Sequence, residues 1–270
     1  EQYGFLPSCG PESECLTIAD PEKIWVLELF SVGKGWKAGS GKPGVIWAAQ
    51  RVPDDHVAII PNWSIIKEID LSKPDYFKAS ANYMQVAIDS GWYAPESGQP
   101  FIWQDIYAPT PREWATNRFW LFATTFAPST APMKSRKTQN PFDNLNQYIQ
   151  FVEPLSVYPF SFKPEKPVSV KDFMDFQRST FSGTIYDKEN DAAWYYPGKD
   201  NKLVKSKLAT PFPSGETQKL MKTTRRRAVA RVDGEYGMVA QLRAGMPKGI
   251  GGIYWVFQDN AYTSPYLPIF

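Results

Sequence analysis

The spacing of apolar residues in the first quarter of the chain predicts a series of short antiparallel strands. The predicted strands cover residues 15–20, 24–30, 45–52 and 56–60. The nearly continuous apolar run in residues 24–30 is typical of a strand that is buried on both faces. Asp20 and Pro21 separate the first two strands, and both residue types favour a turn. The pattern therefore predicts an antiparallel meander over residues 15–60.

Later segments predict helices and a return to strands. Helices are predicted over residues 82–88 and 111–126, and a third runs from Ser169 to about Phe181, before Gly183. Ser169 can cap the third helix, because Asp172 stands where a capping box needs its acid. Strands are predicted over residues 227–232, 236–242 and 252–258. Residues 128–168 are rich in Pro, Ser, Thr and Asn and predict an extended loop segment.

Composition supports a loop-rich α+β protein. The 270 residues include 24 Pro, 10 Trp, 14 Tyr and 17 Phe. Proline interrupts regular structure, so many prolines indicate long ordered loops. This composition argues against a helical bundle or a repeat array.

Charge and chemistry exclude several classes of protein. The 30 basic and 28 acidic residues leave a net charge of +2, which predicts neither nucleic-acid binding nor an anionic membrane surface. The basic residues between 199 and 231 are expected to form a solvated face. No apolar run is long enough for a transmembrane helix. His56 is the one histidine, and with Cys9 and Cys15 it gives no metal-ligand spacing.

Six stretches occur in an order and spacing that resemble a known family. They are residues 17–21 (TIADP), 24–28 (IWVLE), 47–55 (WAAQRVPDD), 59–62 (IIPN), 239–243 (VAQLR) and 250–255 (IGGIYW). Together they resemble the PepD-type dipeptidases, which are related to the secernins and belong to the N-terminal-nucleophile cysteine hydrolases. The resemblance covers nearly the whole chain and is loose over residues 128–168.

The resemblance implies a fold and a mechanism. The implied fold is a four-layer αββα sandwich of two antiparallel sheets, of which residues 1–270 would be a single, incomplete catalytic domain. The implied nucleophile is a cysteine at the mature N-terminus, whose own α-amine can act as base near neutral pH. No cofactor, metal or histidine is implied.

The resemblance also implies that the nucleophilic cysteine lies outside this chain. The family's nucleophile opens a segment that precedes residues 15–20, whereas this chain begins at Glu1 without a Met. Cys9 and Cys15 do not match that position and are interpreted as structural. The family continues beyond an element like Tyr266-Leu267-Pro268, so a C-terminal segment is expected to be missing as well. A leader would lie upstream, so a cytoplasmic and a periplasmic or secreted location both remain open.

Two residues are candidates for the chemistry. Asn62 matches an asparagine that, by the resemblance, binds the oxyanion, for which a neutral amide donor is well suited. Its alternative interpretation is a turn residue after Pro61. Arg227 matches an arginine that would steady the thiolate and the substrate. Its alternative is membership of a solvated basic run with Arg225 and Arg226.

Four further residues are candidates for substrate binding. Arg51, Asp54 and Asp55, which flank a tight turn, could hold the charged termini of a peptide. Their alternative interpretation is a structural Arg–Asp pair around Pro53. Trp63 could line a pocket. His56 is interpreted as structural.

The function expected from these residues is hydrolysis of small peptides by cysteine acyl transfer, with this fragment alone inactive. The partners would be a small peptide and the missing segments of the same protein. Two alternatives remain: an amidase of the same superfamily acting on non-peptide amides, and a non-catalytic aromatic-rich module that binds peptides or sugars. The sequence does not determine the preferred dipeptide or the oligomeric state.

Overall fold

The computed structural model describes residues 13–32, 37, 39–41, 44–109, 113–131, 158–223, 226–247 and 249–270. The chain divides into two compact units. The first contains residues 1–111 and 154–163, and the second contains residues 112–153 and 164–270. Both contain antiparallel sheets with helices, which confirms the α+β class. The four-layer sandwich and the single domain stay predictions.

The first unit contains a four-stranded antiparallel sheet in the order β1-β2-β3-β4. Its strands are β1 (Ser13–Ala19), β2 (Ile24–Ser31), β3 (Val45–Val52) and β4 (Phe77–Ala79). The first three confirm the predicted meander. The predicted turn between β1 and β2 is also confirmed, because the Asp20 carboxylate accepts bonds from the Glu22 N–H at 2.8 Å and the Lys23 N–H at 2.7 Å.

The fourth strand predicted for residues 56–60 is wrong. This segment forms only an isolated bridge between Val57 and Phe162, and β4 lies beside β3 instead. The chain leaves the sheet after a tight turn in which the His56 N–H donates to the Pro53 carbonyl at 3.0 Å. Val57 then exchanges backbone bonds with Phe162 at 2.8 Å, and further along the Ile65 and Ile66 N–H groups donate to the Glu28 side chain.

The described part of the first unit also contains two α-helices: α1 (Tyr83–Asp89), which confirms the helix predicted near this position, and α2 (Trp103–Tyr107), which was not predicted. The core lies between the sheet and α2, where Val26, Ile46, Ile65 and Trp103 are buried. The strand β2 is not buried along its whole length as expected, because its most deeply buried positions, Val26 and Glu28, alternate on one face.

The second unit is built around a buried helix. Among the residues that the structure describes, its α-helices are α3 (Glu113–Phe126), α4 (Val170–Gln177) and α5 (Gly215–Met221). The Phe122 ring meets the rings of Phe126 and Phe176 at centroid distances of 4.7 and 5.4 Å, which packs α3 against α4. The helix predicted over residues 111–126 is confirmed from Glu113 onward, and Pro111 lies outside the described residues. Within the described ranges, no helix is long and apolar enough to cross a membrane.

The start of α4 confirms the prediction, whereas its end does not. The Ser169 hydroxyl accepts a bond from the Asp172 N–H, and the Asp172 carboxylate accepts one from the Ser169 N–H, forming the capping box. The helix ends at Gln177 rather than near Phe181. The Ser179 hydroxyl accepts a bond from the Phe181 N–H at 3.1 Å, and such a local turn competes with helical bonding.

In the described part of the second unit, five strands form two small sheets. They are β5 (Tyr195–Pro197) with β6 (Leu203–Lys205), and β7 (Tyr236–Leu242), β8 (Gly252–Gln258) and β9 (Leu267–Ile269) in the order β7-β8-β9. The predictions for β7 and β8 are confirmed. The strand predicted over residues 227–232 is wrong, because the Ala228 carbonyl accepts a bond from the Arg118 guanidinium and the Ala230 N–H bonds to the Ser179 carbonyl.

Candidate active site

A buried carboxylate organises the segment that contains Asn62 and Trp63. The Glu28 side chain lies on the inner face of β2 and is 0% exposed. One carboxylate oxygen accepts bonds from the Ile65 and Ile66 N–H groups at 2.6 and 3.1 Å. The other accepts bonds from the Ser64 hydroxyl at 2.5 Å and the Trp103 indole N–H at 2.8 Å. These four donors compensate a carboxylate that would otherwise be costly to bury.

The same segment is bonded to α2 through its backbone. The Gln104 N–H donates to the Ile66 carbonyl at 3.1 Å, and the Gln104 side-chain amide donates to the Ser64 carbonyl at 2.6 Å. The Trp103 N–H donates to the Lys67 carbonyl at 3.0 Å. Residues 64–67 are therefore held from both sides, by Glu28 and by the start of α2.

Asn62 lies in a bend just before this fixed segment. Its side chain is exposed and its φ angle is 68°, a left-handed conformation that Asn tolerates better than most residues. No strand precedes it, contrary to the prediction, so the bend itself sets the direction of its amide. The next residue, Trp63, is half-buried and donates its indole N–H to the Ala108 carbonyl at 3.0 Å. The structure thus places Asn62 and Trp63 in one anchored bend.

Arg51 and Asp54 form an ion pair with each other. The Arg51 guanidinium lies 2.5 Å from the Asp54 carboxylate and 5.3 Å from the centre of the Tyr76 ring. The Arg51 side chain is 12% exposed and that of Asp54 is 72% exposed. This geometry matches the structural pairing that the sequence left open. Their predicted role in substrate binding remains untested.

Asp55 and His56 also have partners in the first unit. The Asp55 carboxylate lies 2.8 Å from the Lys163 ammonium group, which lowers the pKa of Asp55. The His56 Nδ1 atom lies 2.8 Å from the Ser161 hydroxyl. Both contacts connect the turn after β3 to the segment around residue 162 and fit a structural interpretation.

The Cys15 thiol is unsuited to act as a nucleophile. Burial raises the pKa of Cys15, and the nearby carboxylates of Glu28 and Glu14 raise it further. Since the thiolate is the reactive form, a raised pKa suppresses the reactivity of the thiol. Cys9 lies outside the described residues.

Arg227 lies in the second unit, in an irregular segment rather than at the start of a strand. Its guanidinium stacks over the Trp114 ring at 4.5 Å from the ring centre. It lines a small pocket together with Arg226, Arg231, Asp233 and other residues. We call this the arginine pocket. Arg227 as a whole residue is half-buried.

A buried group of charges lies beside the arginine pocket in the same unit. Arg226 pairs with Asp191 at 3.0 Å. Lys188 is buried, and burial lowers the pKa of its ammonium group while the Glu113 carboxylate opposes that shift. Burial raises the pKa of Glu113, and Lys188 opposes that shift in turn. Glu113 and Lys188 therefore stabilise each other's charged form.

Among the described residues, no group of three His, Cys, Asp or Glu side chains is placed so that it could jointly hold a metal ion. The chemical resources present are amide, guanidinium and carboxylate groups. Such groups bind and orient a polar organic substrate and stabilise developing negative charge.

Sequence reasoning missed Glu28 and the grouping of arginines. A single acidic residue at position 28, within a run that otherwise predicts burial, was the available signal for a buried carboxylate. Arg118 is separated from Arg231 by more than one hundred positions, so no local pattern could have connected them. A predicted role for Asn62 and Arg227 was within reach only through the family resemblance.

Amide, guanidinium and carboxylate groups of this kind occur in a broad class of ligand-binding and hydrolytic proteins. Comparison with known sequences narrows that class: the chain belongs to Peptidase family C69, whose sequence profile matches residues 1–270. This confirms the resemblance to PepD-type dipeptidases.

Similar proteins carry consistent names. The chain is 23% identical over 262 residues to a "Probable dipeptidase" of Latilactobacillus sakei, covering 96% of this chain and 43% of that protein. It is 22% identical over 259 residues to a "Probable dipeptidase B" of Streptococcus pyogenes serotype M1, covering 95% of this chain and 42% of that protein. The chain therefore spans less than half the length of these relatives. No solved structure matches it.

Proposed function

We propose that the protein containing this chain is a cysteine-type dipeptidase that releases amino acids from small peptides. The observation that carries the proposal is the match of Peptidase family C69 to residues 1–270. The relatives named as probable dipeptidases support the substrate class. The four-layer αββα fold belongs to the same proposal.

The proposed reaction is acyl transfer through a cysteine outside these 270 residues. The thiol transfers its proton to the α-amine of the same residue, and its sulfur attacks the scissile carbonyl carbon. The tetrahedral intermediate expels the leaving amine, which takes up the proton, and leaves a thioester. Water then hydrolyses the thioester to release the first amino acid as a carboxylate and regenerate the thiol.

In this mechanism Asn62 donates its side-chain amide to the developing oxyanion. Its exposed side chain and the anchored bend support the assignment, because an oxyanion donor must reach substrate from a fixed backbone. Arg227 is the other proposed participant. A guanidinium remains charged at all relevant pH values and favours a thiolate or a carboxylate nearby.

Exposed apolar residues on β1 support the proposal that further segments of the same protein complete the domain. Leu16 is 48% exposed and Ile18 is 53% exposed, although both lie in the regular strand β1. An exposed edge strand with apolar side chains is a liability unless it is covered.

The test uses the full-length protein and a panel of dipeptides, with free amino acids as the readout. We expect release of amino acids that iodoacetamide abolishes and EDTA does not. The 270-residue chain alone, expressed as a control, should release none. If the full-length protein cleaves only non-peptide amides, the related amidase replaces the dipeptidase. If the full-length protein cleaves neither dipeptides nor non-peptide amides, the acyl-transfer proposal is wrong.

One observation favours a second candidate, a binding module without chemistry. Trp92 is 57% exposed and borders an open cleft of about 410 Å³, which is also lined by Asp105, Tyr107 and two apolar residues. Exposed aromatic rings beside an acidic group suit amine-containing ligands. Saturable peptide binding without turnover by the full-length protein would favour this candidate.

A further inference from the structure

The arginine pocket carries more positive charge than its own carboxylates balance. The Arg231 guanidinium forms two bonds to the Asp233 carboxylate, at 3.0 and 2.9 Å. Arg226 pairs with Asp191 at 3.0 Å. Arg227 forms no ion pair with any of the described residues. Among the described residues, Arg226 and Arg231 therefore each have a carboxylate partner, whereas Arg227 has none.

Arg227 is held in a position that leaves its N–H groups available. Its guanidinium plane stacks on Trp114 at 4.5 Å from the ring centre, which fixes the side chain through a contact that uses no N–H donor. The planar edge of a stacked guanidinium can donate two parallel bonds to a carboxylate.

A fourth arginine, Arg118, lies close enough to these guanidinium groups for their positive charge to lower its pKa. The Arg118 guanidinium donates to the Ala228 carbonyl at 3.0 Å, which places it beside the segment that lines the pocket. Burial, followed by the charges of Arg231 and Arg227, lowers the pKa of Arg118 to about 10. Repulsion among these groups is a cost that an anionic ligand would relieve.

We propose that the arginine pocket binds the carboxylate group of a ligand, with Arg227 as its main partner. If the proposed function holds, that group is the free C-terminal carboxylate of the peptide substrate. A single leftover positive charge matches a monoanion better than a phosphate dianion, which the Asp233 carboxylate in the pocket wall would repel. The pocket is also small, so only a single small head group could enter it.

Arg51, the sequence-based candidate for holding a charged terminus, fits this role less well. Its guanidinium is already neutralised by Asp54 at 2.5 Å. Arg227 has no such competitor among the described residues, so carboxylate recognition is better assigned to the second unit.

The first test compares L-alanyl-L-alanine with its C-terminal amide as substrates of the full-length protein. We expect the wild-type enzyme to have a lower KM for the acid. In Arg227→Gln the KM for the acid should rise about 10- to 100-fold, as expected for loss of a charge-assisted bond, while the KM for the amide changes little. Arg227→Lys should recover part of the preference.

A matched control is Arg178→Gln. The Arg178 guanidinium stacks on Tyr266 at the same 4.5 Å, but it does not line the arginine pocket. The ratio of KM for the amide to KM for the acid should be unchanged in this variant. If Arg227 instead serves only the thiolate, Arg227→Gln will lower kcat for acid and amide equally, and the carboxylate proposal is overturned.

The second test does not depend on turnover. N-acetyl-L-alanine should raise the Tm of the full-length protein in a concentration-dependent manner, whereas N-acetyl-L-alanine amide should not. The shift should disappear in Arg227→Gln and persist in Arg178→Gln. If N-acetyl-L-alanine binds but the full-length protein cleaves no peptide, the proposed carboxylate site is supported and the proposed dipeptidase activity is rejected. Equal shifts for acid and amide, or none for either, would reject the site itself.

Discussion

Replacement of Glu28 tests whether a buried carboxylate holds the Asn62 bend in place. Glu28→Gln preserves the size of the side chain but replaces one acceptor oxygen with an NH₂ donor. The carbonyl oxygen of Gln can still accept from the Ile65 and Ile66 N–H groups. The NH₂ group then faces the Ser64 hydroxyl, which can rotate to accept a bond, and the Trp103 indole N–H, which cannot.

The magnitude follows from the number of donors left without an acceptor. One orphaned buried donor costs about 1–3 kcal/mol, so Glu28→Gln should lower the free energy of unfolding by about 2 kcal/mol. Glu28→Ala removes both oxygens from all four donors and should cost at least about 4 kcal/mol, which includes the cavity it leaves. Relief from burying a charge offsets part of both values.

The assay is urea denaturation of the full-length protein, combined with hydrogen exchange of the Ile65 and Ile66 amides. Both amides should exchange faster in Glu28→Gln. The control is Glu14→Gln, the same change on the exposed side of β1, which should alter stability by less than about 0.5 kcal/mol. If Glu28→Gln is as stable as Glu14→Gln and the two amides stay protected, the reasoning is refuted.

Three further predictions concern single groups. Ser169→Ala should lower the free energy of unfolding by about 1 kcal/mol through loss of the capping box with Asp172, measured by urea denaturation, whereas an unchanged midpoint would contradict it. Cys15 should react with iodoacetamide at about pH 8.5 at least tenfold more slowly than free cysteine, because its raised pKa keeps the thiolate scarce; mass spectrometry of tryptic peptides measures this, and equal rates would show an accessible thiolate. Lys188→Met should cost about 3 kcal/mol because Glu113 loses its buried partner, and adding Glu113→Leu should restore part of that loss.

Local interactions explain the predictions that the structure confirms. The capping box at Ser169 and the turn at Asp20 each depend on side chains within three residues of the backbone they bond. The strands β1, β2 and β3 follow from apolar runs separated by turn residues. These features depend on short sequence separations, which a single sequence displays directly.

Competition from distant residues explains the predictions that failed. The pattern of residues 56–60 predicts a strand. The chain that follows leaves the sheet, because the backbone of residues 65–67 bonds to the Glu28 carboxylate on β2 and to the first residues of α2. Residues 227–232 also read as a strand, but the Ala228 carbonyl is taken by Arg118, 110 positions earlier. Strand formation needs free backbone groups, and the sequence pattern does not show which are already used.

The sequence by itself determined the α+β class, most of the regular elements and, through serial motifs, the family. Only the tertiary structure revealed the function of Glu28 as a buried acceptor, the pairing of Arg51 with Asp54 and the surplus charge at Arg227. The physical reason is that burial and electrostatics are set by neighbours in space. A glutamate in an apolar strand destabilises or stabilises the fold depending on the hydrogen-bond donors that reach its carboxylate. The four donors to Glu28 come from residues at least 36 positions away.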